Sequence, residues 1–449
     1  MGKQDLFVSK MKQEGLNDIV INTFISYFNK LLNGEKGKLS KNEIKQPAES
    51  NIIHYHDLKN EKTDFLCKLA VIKLNGGLGT SMGLKKAKSL LPVKHGLSFL
   101  DIIAQQILFL REKYHFSIPV LFMNSFNTQR DTLQLLDKYP EIKKQSCPLD
   151  FVQNKFPKIR QDNFEPLTVS EEAAGWNPPG HGDIYSCLVQ EKIIDQLLDS
   201  GIEYIFVSNS DNLGAIADIR ILNYMIENKI PFIMEVCNRT EMDKKGGHLA
   251  ETKDGRLILR ETAQCPDDET EDFQNISLYH YFNTNNLWID LKVLRDKMQS
   301  NHNILDLPLI INPKKVDNIP VYQLETAMGS AISLFEGAKA VLVNRDRFAP
   351  VKKTQDLLLI WSDIYDLKDD FTLQKVTEID HLLDLDSQYY GEIDQLVKRF
   401  PTTPPSLKEC QSFSVKGDIG FGNNLSFKGS ITLKASQPAY LENIEITNE

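Results

Sequence analysis

Cysteine is scarce in this chain, and its six copies lie too far apart to suggest a shared site. They stand at positions 67, 147, 187, 237, 265 and 410, with no CxxC pair and no clustering with histidine, which argues against a zinc site and a disulfide framework. Isolated thiols in a reducing compartment are the better account. Long apolar runs are missing too: none approaches the roughly 18 residues of a membrane span. The opening MGKQDLFVSKMKQ lacks the apolar stretch of a signal peptide, and Leu6 stands where a myristoylation motif wants Ser or Thr. Nor is positive charge in excess. A formal net charge of −9 excludes the extended basic surface that broad capture of nucleic acid requires. The expectation is a cytoplasmic protein without nucleic-acid or membrane partners, in which any anionic substrate meets lysines concentrated locally.

What is present is a folded, multi-part chain. Its 449 residues exceed the size at which one core usually stops growing, so two or three structural units are expected. Residues 1–60 are charged, show no strand pattern, and carry helical spacing at Ile19, Ile21, Phe24, Ile25, Phe28 and Leu31. From about residue 65, apolar runs at 69–74, 119–123, 150–153, 204–208, 232–236, 278–282 and 340–343 alternate with helical segments, one of them at 98–113 behind a Ser98 N-cap. Such alternation predicts an α/β fold with a central, mostly parallel sheet covered by helices on both faces, and ligands beyond the carboxyl ends of the strands.

After the proline-rich 401–405 stretch, apolar pairs recur every six residues: Phe413/Val415, Ile419/Phe421, Leu425/Phe427 and Ile431/Leu433. A hexad period predicts a β-helix, whose open end needs a cap or a partner. The division expected is a helical segment at 1–60, a catalytic domain at 61–350, a connector at 351–405 and a β-helix at 406–449.

The chemistry concentrates in a few segments. Leu74-Asn75-Gly76-Gly77-Leu78-Gly79-Thr80-Ser81-Met82-Gly83 follows the first strong strand, and closely spaced glycines there let backbone N–H groups approach a phosphate. Walker A is excluded by the spacing of Gly79 and Gly83 and by Leu84 in the lysine position. A dinucleotide fingerprint is weak, since the nearest acid, Asp101, lies in the first turn of a helix. Lys85, Lys86 and Lys88 follow the glycines and are placed to neutralise a triphosphate. Asp211 lies just past the 204–208 strand, where a carboxylate suits Mg²⁺ bridging phosphates, although Asn209-Ser210-Asp211-Asn212 also reads as an Asx turn. Gln153 has amide groups that suit the edge of a base. His181 sits between glycines in Pro178-Pro179-Gly180-His181-Gly182-Asp183. The Asn283-Thr284-Asn285-Asn286 run and Glu325 suit sugar hydroxyls, with Asn286 also readable as the N-cap of the next helix.

LNGGLGTSMG with Lys88-Ser89 resembles the nucleotide-binding signature of the eukaryotic-type UDP-glucose pyrophosphorylases. FVQNKFPKI, NPPGHGDIY, NSDNLGA, FNTNNLW, QLETAMGSAI and RFAPVK resemble further blocks of that family in the same order, together spanning about 74 to 352. The resemblance implies a left-handed parallel β-helix at the C-terminus, through which a homo-oligomer would form. It also implies the joining of UTP and glucose 1-phosphate into UDP-glucose and pyrophosphate, with Mg²⁺ held by Asp211.

By the same resemblance Lys88 and Lys352 are catalytic, Lys352 rather than Lys353 being the cation that meets the α-phosphate. Leu74, Asn75, Gly76, Gly77, Gln153, Gly180 and Asp211 join them around the nucleotide. His181, Asn209, Ser210, Asp211, Asn283, Asn285 and Glu325 surround the sugar phosphate. The chain departs from the family in carrying Lys86-Ala87 where Gly-Pro is usual before Lys88. The alternatives are a pyrophosphorylase for other UDP-sugars or UDP-N-acetylhexosamines, and a non-catalytic nucleotide-sugar sensor.

Overall fold

The protein is described by a computed structural model covering residues 2–59 and 62–448; the expected boundary at 60/61 falls on residues outside those described. The organising element is a sheet whose main path runs Ile52–His54, Lys339–Leu342, Phe232–Asn238, Tyr281–Asp290, Tyr204–Asn209, Leu69–Asn75, Val120–Asn124, Asp150–Val152. Every neighbouring pair is parallel except the two made by Tyr281–Asp290, which is antiparallel to both its neighbours. The other seven strands therefore point one way, and their carboxyl ends share an edge with the start of Tyr281–Asp290.

Leu69–Asn75 shows why the strands read as mainly apolar runs. With a pleat of period two, Leu69 and Val71 enter the core on one face while Ala70 and Ile72 enter the core on the other. The helix Phe99–Tyr114 covers the first of these faces with Ile102, Ile103 and Ile107. Its start is a capping box: Asp101 N–H donates to Ser98 Oγ at 3.1 Å, and Ser98 N–H donates back to the Asp101 carboxylate at 2.9 Å. Asp101 is thus a structural cap, also accepting from Tyr139 Oη at 2.8 Å.

Two expectations fail. The strand placed at 278–282 instead begins at Tyr281 and runs to Asp290, through the polar Asn283–Asn286 stretch. That stretch is anchored inside the sheet by buried Glu235: Thr284 Oγ1 donates to the Glu235 carbonyl at 2.7 Å, and Asn286 Nδ2 and Trp288 Nε1 donate to its carboxylate at 3.1 and 2.9 Å. Asn286 is therefore mid-strand, and the cap of the next helix is Asp290. The N-terminal segment, expected to lack strands, contributes Ile44–Lys45 and Ile52–His54 to the edges of the sheet system. Its helices Lys3–Gln13 and Asp18–Leu32 form a separate core in which Phe7, Phe24 and Phe28 pack with Phe156 and Trp176.

The hexad tail forms parallel pairs between Leu382–Leu385, Cys410–Lys416, Leu425–Lys434 and Ile444–Asn448, and between Ile419–Phe421 and Ala439–Leu441. Phe413 stacks over Ile431 and Val415 over Leu433, three hexads on. These side chains point inward and share a continuous core with the first face of the central sheet. Phe413 is fully buried against Phe427, ring centroids 5.0 Å apart, and against Phe421 at 5.8 Å. Phe413→Ala is expected to cost about 3–5 kcal/mol of stability, measured by denaturant titration; a loss below about 1 kcal/mol would show that the stack is not closely packed.

Candidate active site

At the shared edge of the sheet a cavity of about 240 Å³ is lined by Leu74, Asn75, Gly76, Gly77, Lys88, Ser89, Gln153, His181, Asn209, Ser210 and Asp211. The glycine loop forms one wall. Gly79 and Gly83 have φ of 67° and 73°, conformations a side chain resists, and they bracket the single turn Thr80–Met82. This reversal returns the chain so that Lys88 N–H donates to Gly77 O at 3.0 Å. Asn75 is locked by donating to Asn124 Oδ1 and Thr132 Oγ1, both at 2.8 Å, and Ser125 Oγ donates to Gly76 O at 3.0 Å. Gly76 lies directly under the Gln153 amide, so a Cβ there would stand only 2.9 Å from Gln153 Oε1.

Lys88 is the only side-chain cation among the described residues of the wall. Its ammonium donates to Asp211 Oδ2 at 2.5 Å and to the Val351 carbonyl. The other oxygen of Asp211 is buried and has no hydrogen-bond partner among the described residues, and the same holds for Ser210 Oγ and Ser89 Oγ of the same wall. Lys85 and Lys86 are exposed and do not line the cavity, while Ala87 is buried. The Lys86-Ala87 departure therefore leaves the wall unaltered.

Gly180 does not line the cavity itself; it has φ 79° and packs so tightly on the backbone of Thr326 that no Cβ would fit. This turn aims His181. Met328 N–H donates to His181 Nδ1 at 2.9 Å, so the ring proton sits on Nε2 as a donor. Burial pulls its pKa down to about 4, and the ring is neutral at physiological pH. Asn154, next to Gln153, donates through N–H and Nδ2 to Asp183 at 2.6 and 3.0 Å, joining the Gln153 side of the cavity to the histidine turn.

Asn283, Asn285 and Glu325 do not line the cavity. Asn285, with φ 62°, reaches it indirectly by donating to Asn209 Oδ1 at 2.9 Å, and Asn283 orders Asn285 by accepting its N–H. Glu325 ends the strand Ile319–Glu325 beside Gly180, and burial raises its pKa. Lys352 is exposed and outside the wall, with the half-buried Glu261 carboxylate near it. Its neighbour Val351 is nonetheless bonded to the site on both sides, donating N–H to Asp211 O at 3.1 Å and accepting from Lys88. Sequence reasoning did not assign Ser89 and Ser125 to this site, nor Arg347 and Glu235 to its support; Ser89 carried a signal in the Lys88-Ser89 pair and Arg347 in the RFAPVK block.

The model of the family described as UTP–glucose-1-phosphate uridylyltransferase matches residues 21–428. The chain belongs to the UTP–glucose-1-phosphate uridylyltransferase family. Curated proteins of that description from Hordeum vulgare and Solanum tuberosum are 40% and 39% identical to it, over 93% and 95% of this chain and 89% and 91% of theirs. Among solved structures, a point variant of UDP-glucose pyrophosphorylase from Leishmania major in complex with UDP-glucose superposes with a TM-score of 0.90 at 41% identity, covering all of both chains. The UDP-glucose phosphorylase of Trypanosoma brucei does so with a TM-score of 0.88 at 40% identity, again over both whole chains.

In this uridylyltransferase family member the neutral state of His181 has a measurable sign. Its folded pKa lies below the unfolded value near 6.5, so its contribution to stability is complete above about pH 6.5 and is lost as pH falls towards 4. The imidazole resonance of His181 is expected to titrate near pH 4 by NMR, and His181→Gln to flatten the stability change between pH 7 and 5. A titration midpoint at or above 6.5 would contradict the burial of the ring and its bond from Met328 N–H.

Proposed function

We propose that this chain is the enzyme that converts UTP and glucose 1-phosphate reversibly into UDP-glucose and pyrophosphate. The observation that carries the reading is the convergence of a glycine loop, Lys88, Asp211, Gln153 and His181 on one cavity in a chain that matches this family over most of its length. In the reaction a phosphate oxygen of glucose 1-phosphate attacks the α-phosphorus of UTP. The bond from that phosphorus to the bridging oxygen breaks, and pyrophosphate leaves with the electron pair. Both reactants are anions, so catalysis is chiefly alignment and charge compensation.

The backbone N–H groups of the glycine loop and the Lys88 ammonium are the donors to the triphosphate, and Gln153 reads the uracil edge. His181 offers Nε2–H to the sugar phosphate as a neutral donor. Asn209, held by Asn285, faces the sugar side, with Glu325 beyond it.

The residues also fit Mg²⁺. Among the described residues no group of three or more His, Cys, Asp or Glu is poised to hold a metal, whereas Asp211 has one buried, unpartnered carboxylate oxygen. A single carboxylate is what an ion that keeps its waters and binds phosphate oxygens requires. When bound it would compensate charge on the phosphates.

Lys352 is assigned to the α-phosphate. What supports this is its place next to Val351, which touches both Asp211 and Lys88; its side chain must swing from its position near Glu261 to serve. The tail strands are read as a left-handed parallel β-helix and the chain as divided near residues 60, 350 and 405. The exposed Tyr440 and Ile444 at the last coil mark where a second copy would join. No helix among the described residues is long and apolar enough to cross a membrane, and a cytoplasmic location is our reading.

Pyrophosphate release assayed with UTP and a panel of sugar 1-phosphates is expected to favour glucose 1-phosphate; preference for N-acetylglucosamine 1-phosphate would reassign the substrate, and no release with any sugar would make the chain a sensor. Lys352→Gln is expected to lower kcat by roughly 10²–10³ with a smaller change in KM for UTP, and Lys353→Gln to do little. Equal effects of the two substitutions would remove the α-phosphate role from Lys352.

A further inference from the structure

Lys73 precedes the Leu74-Asn75-Gly76-Gly77 loop in the strand Leu69–Asn75, and only 2% of it is exposed. An ammonium in this position is expensive. Burial, with the Arg347 guanidinium nearby, pulls its pKa down to about 7, and an apolar residue would pack there without that cost.

The ammonium has two acceptors and lies over an aromatic ring. It donates to Ser208 Oγ at 2.8 Å and to Ala215 O at 2.7 Å, 5.8 Å from the Phe206 ring centre. Ser208 lies near the end of the strand Tyr204–Asn209, and Ala215 closes the excursion that follows it. Lys73 therefore bridges the base of the loop that carries Asp211. Along its outer side the loop is zipped to the 346–351 strip: Asn212 Nδ2 donates to Arg347 O at 3.1 Å, Ala349 N–H donates to Asn212 Oδ1 at 3.0 Å, and Gly214 lies against Asp346 O with no space for a Cβ. Ser210 N–H donates to Leu74 O at 3.0 Å, tying the loop to the residue next to Lys73.

We infer that Lys73 is a positioning residue for the uridylyl transfer, setting by its bridge across residues 208 and 215 where Asp211 stands relative to Lys88 and the glycine loop. The inference rests on the assignment of Asp211 to the reacting phosphates. Lys73 reaches the cavity wall only through this loop and through Leu74 and Asn75 of its own strand, and the variant made in the Asp211→Asn background separates the two routes.

The test compares kcat, KM for UTP and the thermal midpoint of Lys73→Met, Ser208→Ala, Asp211→Asn and the Lys73→Met/Asp211→Asn pair. Lys73→Met is expected to lower kcat/KM roughly tenfold to a hundredfold, the scale of a small misplacement of reacting groups, with a thermal midpoint unchanged or raised. Ser208→Ala, which removes one of the two bonds, is expected to lose less in the same direction. In the Asp211→Asn background Lys73→Met should add little, because the group it positions is gone. Wild-type turnover in Lys73→Met, or in a folded Ser208→Ala if Lys73→Met does not fold, would overturn the inference. So would an equal loss in both backgrounds, since additivity means that Lys73 acts independently of Asp211. Near wild-type rates in Asp211→Asn beside an impaired Lys73→Met would instead overturn the role of Asp211, and the inference with it.

Discussion

A guanidinium and a carboxylate, both withdrawn from water, meet in the middle of this fold. Arg347 donates to the two oxygens of Glu235 from Nε at 2.8 Å and Nη2 at 2.5 Å, and none of Glu235 is exposed. Two more donors, from Trp288 and Asn286, complete the carboxylate. Such a pair survives burial only when its remaining hydrogen-bonding capacity is met, and losing one partner from such a pair costs about 3–5 kcal/mol. Three parts of the site hang from it. Arg347 anchors the 346–351 strip against the Asp211 loop. Glu235 anchors a run of asparagines inside the sheet. The antiparallel strand so stabilised brings Asn285 to Asn209.

Most of the parallel strands were legible because, buried on both faces, they read as mainly apolar runs, as at 69–74, where Lys73 is the exception, and at 204–208. The helix at 98–113 was legible from its Ser98 and Asp101 box and its one apolar stripe. The antiparallel strand was not. Its residues 283–286 are polar, and what places them in the sheet is a carboxylate some fifty positions earlier that no local pattern connects to them. The strands at 44–45 and 52–54 escaped for a different reason: two or three residues carry too little periodicity to separate from the turns around them.

At the site, Gln153, His181 and Asp211 line the cavity from distant segments, whereas Lys85 and Lys86, next to the glycine loop in sequence, point to solvent. Lys88 and Asp211 were both singled out, yet their contact across 123 positions is a product of sheet order alone. Asn283 and Glu325 carry the right chemistry for sugar hydroxyls but stand one layer back from the cavity. Lys352 shows the limit of reading a side chain from its motif: the backbone next to it is built into the site, while its own amine lies outside the cavity wall, near Glu261.

Lys88, the one side-chain cation among the described residues of the cavity wall, is already paired with Asp211, and the chain's formal charge is −9. Long-range attraction therefore does little to draw a free polyanion inward. Capture is governed at short range, by how well an arriving nucleotide replaces each half of an existing ion pair. A phosphate that takes the lysine strands a carboxylate unless something cationic comes with it. The Lys88–Asp211 pair thus makes entry of a nucleotide an exchange of partners, in which the carboxylate released from the lysine must find its own neutralisation.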